Sequence, residues 1–223
     1  EEDIHTIALT SEEGAFQEQI FTQYALELLA DGGETESPRP SYDEKTSKAG
    51  VQHKINGHAV SDNNETVDLF ISIFNGTESA AKVSKEEIDK AAKRLFNFFK
   101  NAYYGSHHES IEESQEIFQF AESLARSKEL REALVRVNGL ILTDGVYSGK
   151  APSPMTISGF KIEFKVIDLN YLYNLTEKSH IPIEINFASD GFSIPCIKAP
   201  FDSIENDSYL AIVPGAAIAN IYE

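Results

Sequence analysis

Val51-Gln52-His53-Lys54-Ile55-Asn56-Gly57-His58-Ala59-Val60 is followed by Ser61-Asp62-Asn63-Asn64-Glu65 and then by Thr66-Val67-Asp68-Leu69-Phe70-Ile71-Ser72-Ile73-Phe74. The fold is decided here. In the last run Val67, Leu69, Ile71 and Ile73 share one face, and Asp68, Phe70, Ser72 and Phe74 share the other. Alternation of this kind marks a strand. The polar segment between the two runs has turn composition. Residues 51–75 are therefore expected to form an antiparallel hairpin.

Upstream, residues 1–31 read as a first helix. Thr10-Ser11-Glu12-Glu13 fits a capping box, with Phe16, Ile20, Tyr24 and Leu28 behind it at helical spacing, Phe21 and Ala25 beside them, and Asp31-Gly32-Gly33 as the stop. Residues 32–50 mix Gly, Pro, Ser, Thr and charges and read as an exposed loop. Downstream, residues 84–134 read as a helical pair. Ser84-Lys85-Glu86-Glu87 opens a stripe of Ile88, Ala92, Leu95, Phe99 and Ala102, and Ser110-Ile111-Glu112-Glu113 opens a second with Ile117, Ala121, Leu124 and Ala125. The rest of the sheet falls in 135–215. Val135–Thr143 is apolar, and Phe160–Ile167 alternates. Asp168-Leu169-Asn170 starts a short helix. Pro182–Phe187, Phe192–Ile197 and Tyr209–Gly215 read as further strands, with a helix beginning at Ala216. The class is α/β: a mixed β-sheet flanked by helices, with a restriction-endonuclease-like arrangement as one form of it.

The chain has 223 residues, 19 Lys+Arg against 36 Asp+Glu, and a formal net charge of −17. Such a charge repels nucleic-acid backbones at long range and argues against a general nucleic-acid coat protein. A single cysteine, Cys196, excludes an internal disulfide and a thiolate cluster. Its apolar neighbours predict a buried thiol. No apolar run is long enough to span a bilayer, and no signal peptide is visible, so a cytoplasmic protein without membrane contact is expected.

Several segments together resemble the abortive-infection phage-resistance (AIPR) family of bacterial defence proteins. Ile55-Asn56-Gly57-His58-Ala59-Val60-Ser61-Asp62 with Val67-Asp68-Leu69-Phe70-Ile71 is similar to that family's N-terminal hairpin. Leu140-Ile141-Leu142-Thr143-Asp144-Gly145 and Phe164-Lys165-Val166-Ile167-Asp168-Leu169 resemble its strand ending in Thr-Asp and the segment before a short helix, with Ile167 where the family has an aromatic. Tyr209-Leu210-Ala211 with Pro214-Gly215 and Tyr222-Glu223 carries the nearest likeness. The resemblance implies a role in phage defence and a single N-terminal α/β domain, 1–223, of a longer protein. It implies no catalytic residue set.

The residues themselves offer one enzymatic alternative. Restriction-type nucleases place an Asp and a Glu-x-Lys on adjacent strands, where carboxylates hold Mg2+ and the Lys helps to activate water. Asp144 with Glu163-Phe164-Lys165 has this form, with Asp68, Asp144 and Glu163 as metal ligands and Glu18 as a possible addition. The competing reading of Lys161, Glu163 and Lys165 is the polar face of a strand. His107-His108-Glu109 reads as a solvated loop rather than a metal site, because adjacent side chains do not converge. No phosphate-binding glycine loop or nucleophile elbow is present. Lys90, Lys93, Arg94 and Lys100 concentrate basic charge on one helix and are the candidate nucleic-acid contacts, against a plain solvated helix face. The leading expectation is a regulatory or interaction module that binds the remainder of its own chain and other proteins and needs no cofactor. A Mg2+-dependent nuclease is the alternative.

Overall fold

The computed structural model describes residues 17–47, 50–77, 80–157, 159–176, 195–198, 209–212 and 215. Contacts divide the chain into a unit Glu1–Ser179 and a unit His180–Glu223. The first unit runs α1 (Gln17–Asp31), β1 (Arg39–Thr46), β2 (Gln52–Val60), β3 (Thr66–Ile73), α2 (Lys85–Tyr104), a 3-10 turn (His107–Ser110), α3 (Glu116–Arg126), α4 (Lys128–Ala133), β4 (Arg136–Thr143), β5 (Met155–Ile157), β6 (Phe160–Ile167) and α5 (Leu169–Leu175). Its strands form one sheet in the order β1-β2-β3-β4-β6-β5. The expected hairpin is present: β2 and β3 pair antiparallel. The helical segment between β3 and β4 crosses over the sheet, so β3 and β4 pair parallel, as do β4 and β6. Antiparallel strands need only a turn, whereas parallel neighbours need a crossover of this length. The sheet is therefore mixed, and the α/β class holds.

Two apolar layers follow from strand alternation. Leu69, Ile71, Val137, Ile141, Ile162 and Phe164 pack under α2–α4, with Leu95, Phe98, Phe99 and Phe120 above them. On the other face Phe70, Leu140, Leu142 and Ile167 meet Phe21, Leu26 and Leu29 of α1 and Leu172 of α5. Phe164 lies so close over the β4 backbone that a Cβ at Gly139 would stand 2.5 Å from its ring. The α2 capping box is formed: Ser84 Oγ accepts from Glu87 N, and Glu87 Oε2 accepts from Ser84 N at 2.9 Å. Every residue of the expected α2 stripe is buried.

Three expectations for the first unit need correction. Residues 39–46 are not loop but strand β1, paired with β2 through a register shift between Pro40 and Asp43. Only Ser41 and Asp43 of β1 are buried, so its inward face is polar and shows no apolar alternation. The capping box at Ser110 does not form. Ser110 closes the 3-10 turn by donating to His107 O at 2.8 Å, Ile111 continues extended and buried, and α3 starts only at Glu116. Phe21 and Ala25, expected beside the α1 stripe, are buried with Thr22, Leu26 and Leu29, but the stripe residues Ile20, Tyr24 and Leu28 are only half-buried, so the buried face is centred one position round. The expected capping box at Thr10–Glu13 and the start of that stripe at Phe16 lie outside the described residues.

The second unit contributes β7 (Cys196–Lys198) and β8 (Tyr209–Ala211), an antiparallel pair. Cys196 is exposed rather than buried, because all six residues of this narrow ribbon face outward. The expected strand over Pro182–Phe187 and the helix from Ala216 fall outside the described residues.

One packing contact carries a pH prediction. The His58 ring stacks on Phe120 at 4.0 Å between centroids, and Ser41 Oγ lies 2.8 Å from its Nδ1. Burial, with a smaller effect from the Arg39 charge, lowers its pKa from 6.5 to about 4. The folded chain thus keeps His58 neutral where the unfolded chain protonates. This contribution is complete above pH 6.5 and is lost as the pH falls from 6.5 towards 4. Its full size is about 3 kcal/mol, from about 1.4 kcal/mol per pKa unit. Thermal melts at pH 7.5 and 5.0 are expected to show a larger drop in the wild type than in His58→Phe. Equal drops would remove His58 as the cause.

Candidate functional site

The α1-facing side of the sheet carries most of the residues singled out for nuclease chemistry. Side-chain alternation on β3, β4 and β6 puts Asp68, Asn138 and Glu163 on this side, and they are register partners in succession: Asp68 opposite Asn138, Asn138 opposite Glu163. Strand spacing sets Asp68 and Glu163 about 10 Å apart. Asp68 is buried. It accepts from Thr35 Oγ1 and Asn138 Nδ2, each at 2.7 Å. Glu163 is exposed, and the Lys161 ammonium 2.6 Å away holds its carboxyl below the usual range. Lys165 donates to Glu34 Oε2 at 2.8 Å and to Tyr171 Oη at 2.6 Å. Partial burial lowers the Lys165 pKa, but the bonds to Glu34 and Tyr171 outweigh it and raise the pKa above the ordinary value. The ammonium therefore holds its proton and is ill suited to act as a base.

Asp144 is not brought to this row. It follows the C-terminal end of β4, six residues beyond Asn138, which is roughly 20 Å along the strand direction. Its carboxylate accepts from Asn75 N at 2.9 and 3.0 Å, Asn75 Nδ2 at 3.2 Å and Gly76 N at 2.8 Å. It ties the end of β4 to the segment leaving β3. Asp168 works similarly: its oxygens accept from Tyr171 N, capping α5, and from Tyr147 N.

Further along the same sheet face lies a buried polar cluster that sequence reasoning touched only through Glu18. Glu18 Oε1 accepts from Lys54 Nζ at 2.5 Å and from Asn56 Nδ2 at 2.6 Å. Asn56 Oδ1 accepts from Ser72 N at 3.0 Å, and the Ser72 and Thr22 hydroxyls lie 2.6 Å apart. Lys54 is 6 % exposed, and its ammonium, paired with Glu18, also lies 3.4 Å from Ser72 O and 5.9 Å from the centre of the Tyr42 ring. The available signal was Lys54 and Asn56 two apart on β2, pointing one way.

The basic residues of α2 sit over the opposite side of the sheet. Lys90, Lys93 and Lys100 are exposed, and Lys90, Lys93 and Arg94 line a hollow of about 240 Å3 with Gly50, Val51 and Gln52. Arg94 is held by an ion pair to Glu44. The basic helix and the Asp68–Glu163 row do not form one surface. The His107-His108-Glu109 triplet is not a solvated loop. His108 is buried, and the His107 ring bonds Asp43 Oδ2 at 2.7 Å.

A family model described as the abortive infection phage resistance protein N-terminal domain matches residues 21–174, more than half of the chain. The chain belongs to this family. The match takes in eleven of the fifteen residues of α1, every strand of the six-stranded sheet and all but the last residue of α5. This abortive-infection domain marks the chain as a phage-defence protein. No curated protein and no solved structure matches it. No helix among the described residues of the abortive-infection chain is long and apolar enough to cross a membrane.

Proposed function

We propose that the chain is a regulatory and interaction module of its phage-defence protein, acting by docking to the remainder of that protein or to other proteins. The observation that carries this reading is the commitment of the three residues a nuclease would need. Asp144 is occupied by Asn75 and Gly76, Glu163 by Lys161, and Lys165 by Glu34 and Tyr171. The net charge of −17 also favours basic protein surfaces over phosphate backbones as partners. In a plasmid-cleavage assay with Mg2+ or Mn2+, the wild type is expected to match Glu163→Ala, and Glu163→Ala is expected to melt at the wild-type temperature. The same substitution is expected to leave protection in a phage plaque assay intact.

One observation favours a Mg2+-dependent nuclease as a second reading. Asp68, Glu163 and Lys165 share one sheet face on the parallel strands β3 and β6 that flank β4, so a repacking that frees Asp68 from Thr35 and Asn138, Glu163 from Lys161 and Lys165 from Glu34 would open a metal position between them. Asp144 is then a supporting group rather than a ligand, and Lys90, Lys93, Arg94 and Lys100 would hold DNA only outside the metal row. Metal-dependent cleavage that disappears in Glu163→Ala would establish this reading and reject the first.

A further inference from the structure

On the α2 side of the sheet, Asp43 of β1, His53 of β2 and His107 of the 3-10 turn meet around one carboxylate oxygen. His53 Nε2 lies 2.8 Å and His107 Nε2 2.7 Å from Asp43 Oδ2. The two rings meet edge to face at 4.5 Å between centroids. One ligand atom from each residue falls within 4.8 Å of the others. The three side chains are 4–6 % exposed.

We propose that Asp43, His53 and His107 bind a first-row divalent transition-metal cation of the Zn2+ class, through Asp43 Oδ2 and the two Nε2 atoms. Two imidazoles and one carboxylate form a donor set suited to such cations and unsuited to Ca2+ or Mg2+, which take oxygen. Metal–ligand bonds of about 2.0–2.2 Å in a tetrahedral site put ligand atoms about 3.3–3.6 Å apart. The two nitrogen–oxygen separations, 2.8 and 2.7 Å, would open by roughly 0.5–0.9 Å to admit the cation.

The outer nitrogens support the assignment. Ser110 Oγ donates its proton to His107 O at 2.8 Å, so the lone pairs of that oxygen face His107 Nδ1 at 3.3 Å and Lys45 Nζ at 3.2 Å. In the Nδ1–H tautomer His107 donates to this oxygen. That tautomer turns the Nε2 lone pair towards the Asp43 oxygen, where a cation would sit between them. A ring oriented from Nδ1 in this way is the usual support of a metal-binding histidine. His53 Nδ1 faces the Asn101 side-chain amide at 3.5 Å, which offers an acceptor when the amide is turned.

The charge of the site is suitable. Asp43 supplies the one carboxylate beside the two imidazoles. Lys45 is the nearest cation, 3.8 Å from the other oxygen, Oδ1, and is 38 % exposed, so it can swing outward. A cleft of about 360 Å3 lined by Lys45, His53, Asn101, Gly105, His107 and Ser110 opens the remaining coordination positions to water or to a ligand.

The test is titration of the chelator-treated full chain with Co2+, followed by visible absorption, and with Zn2+, followed by calorimetry. One equivalent is expected to bind with a d–d band in the visible. His107→Gln and Asp43→Asn are each expected to weaken binding by about tenfold or more, in line with what displaced metal-site groups cost. His58→Phe, outside the cluster, is expected to bind as the wild type does. Circular dichroism checks that each variant is folded. Should a cluster variant unfold, cobalt-induced paramagnetic shifts of the His53 and His107 ring protons in the wild type decide instead. Absence of a d–d band, affinity equal in all folded variants, or unshifted rings would each overturn the site.

Discussion

Phe98→Ala is expected to destabilise the first unit by about 3–5 kcal/mol, the range for emptying a buried aromatic site. Phe98 is fully buried on α2, with its ring 6.4 Å from that of Phe120 on α3. It also lies 6.1 Å from the His53 ring and 5.8 Å from the His107 ring. It thus fills the space between two helices and forms the apolar wall of the Asp43 cluster. The sheet beneath is held by strand pairing on both sides and cannot collapse into the gap, so the cavity term stays large. Such a loss is a large part of a domain's usual margin of about 5–15 kcal/mol. Urea unfolding read by far-ultraviolet circular dichroism measures it, since the chain has no tryptophan. A midpoint shift with unchanged slope is the expected form. A change under about 1 kcal/mol would mean that α2 does not pack on the sheet as described.

Asp144→Ala is expected to be the second most damaging change, at about 2–4 kcal/mol. The carboxylate satisfies the backbone N–H groups of Asn75 and Gly76 and the Asn75 amide, and Asp144 is 9 % exposed. Removing it strands donors whose desolvation costs about 1–3 kcal/mol each when unpaired. Asp144→Asn is expected to lose nearly as much, because its NH2 group would face N–H donors. A nuclease ligand would behave differently, with activity falling while the fold stayed stable. Comparing melts of Asp144→Ala and Glu163→Ala therefore separates the two roles: a drop for the first and none for the second is expected. Equal melting temperatures would contradict the capping role of Asp144.

How far the sequence could be read depended on which side chains faced inward. Strands β3, β4 and β6 were legible because their inward positions are apolar, and α2 because Ser84 and Glu87 cap a stripe ending at Ala102. Strand β1 was not, because its inward residues are Ser41 and Asp43, which look like loop residues until His58 and His53 are found opposite them. The start of α3 was misplaced because Ser110 spends its hydroxyl on His107 rather than on a helix end. For the candidate site, the Glu163-x-Lys165 alternation was visible, but Lys165's partner Glu34 lies 131 residues away. His107 looked like solvent-facing sequence because its partner Asp43 is 64 residues away on the strand that was not recognised.

The sequence by itself determined the element types wherever burial is apolar and periodic, the mixed α/β class, and the family likeness of the hairpin. Periodicity is a local property, written within one strand or one helix turn. Only the tertiary structure decided which polar groups meet. Register across β3, β4 and β6 aligns Asp68 with Glu163 but leaves Asp144 beyond the strand end, and the crossover from β3 to β4 carries His107 onto Asp43 and His53. Convergence of that kind depends on strand register and chain path, which no spacing along the sequence encodes.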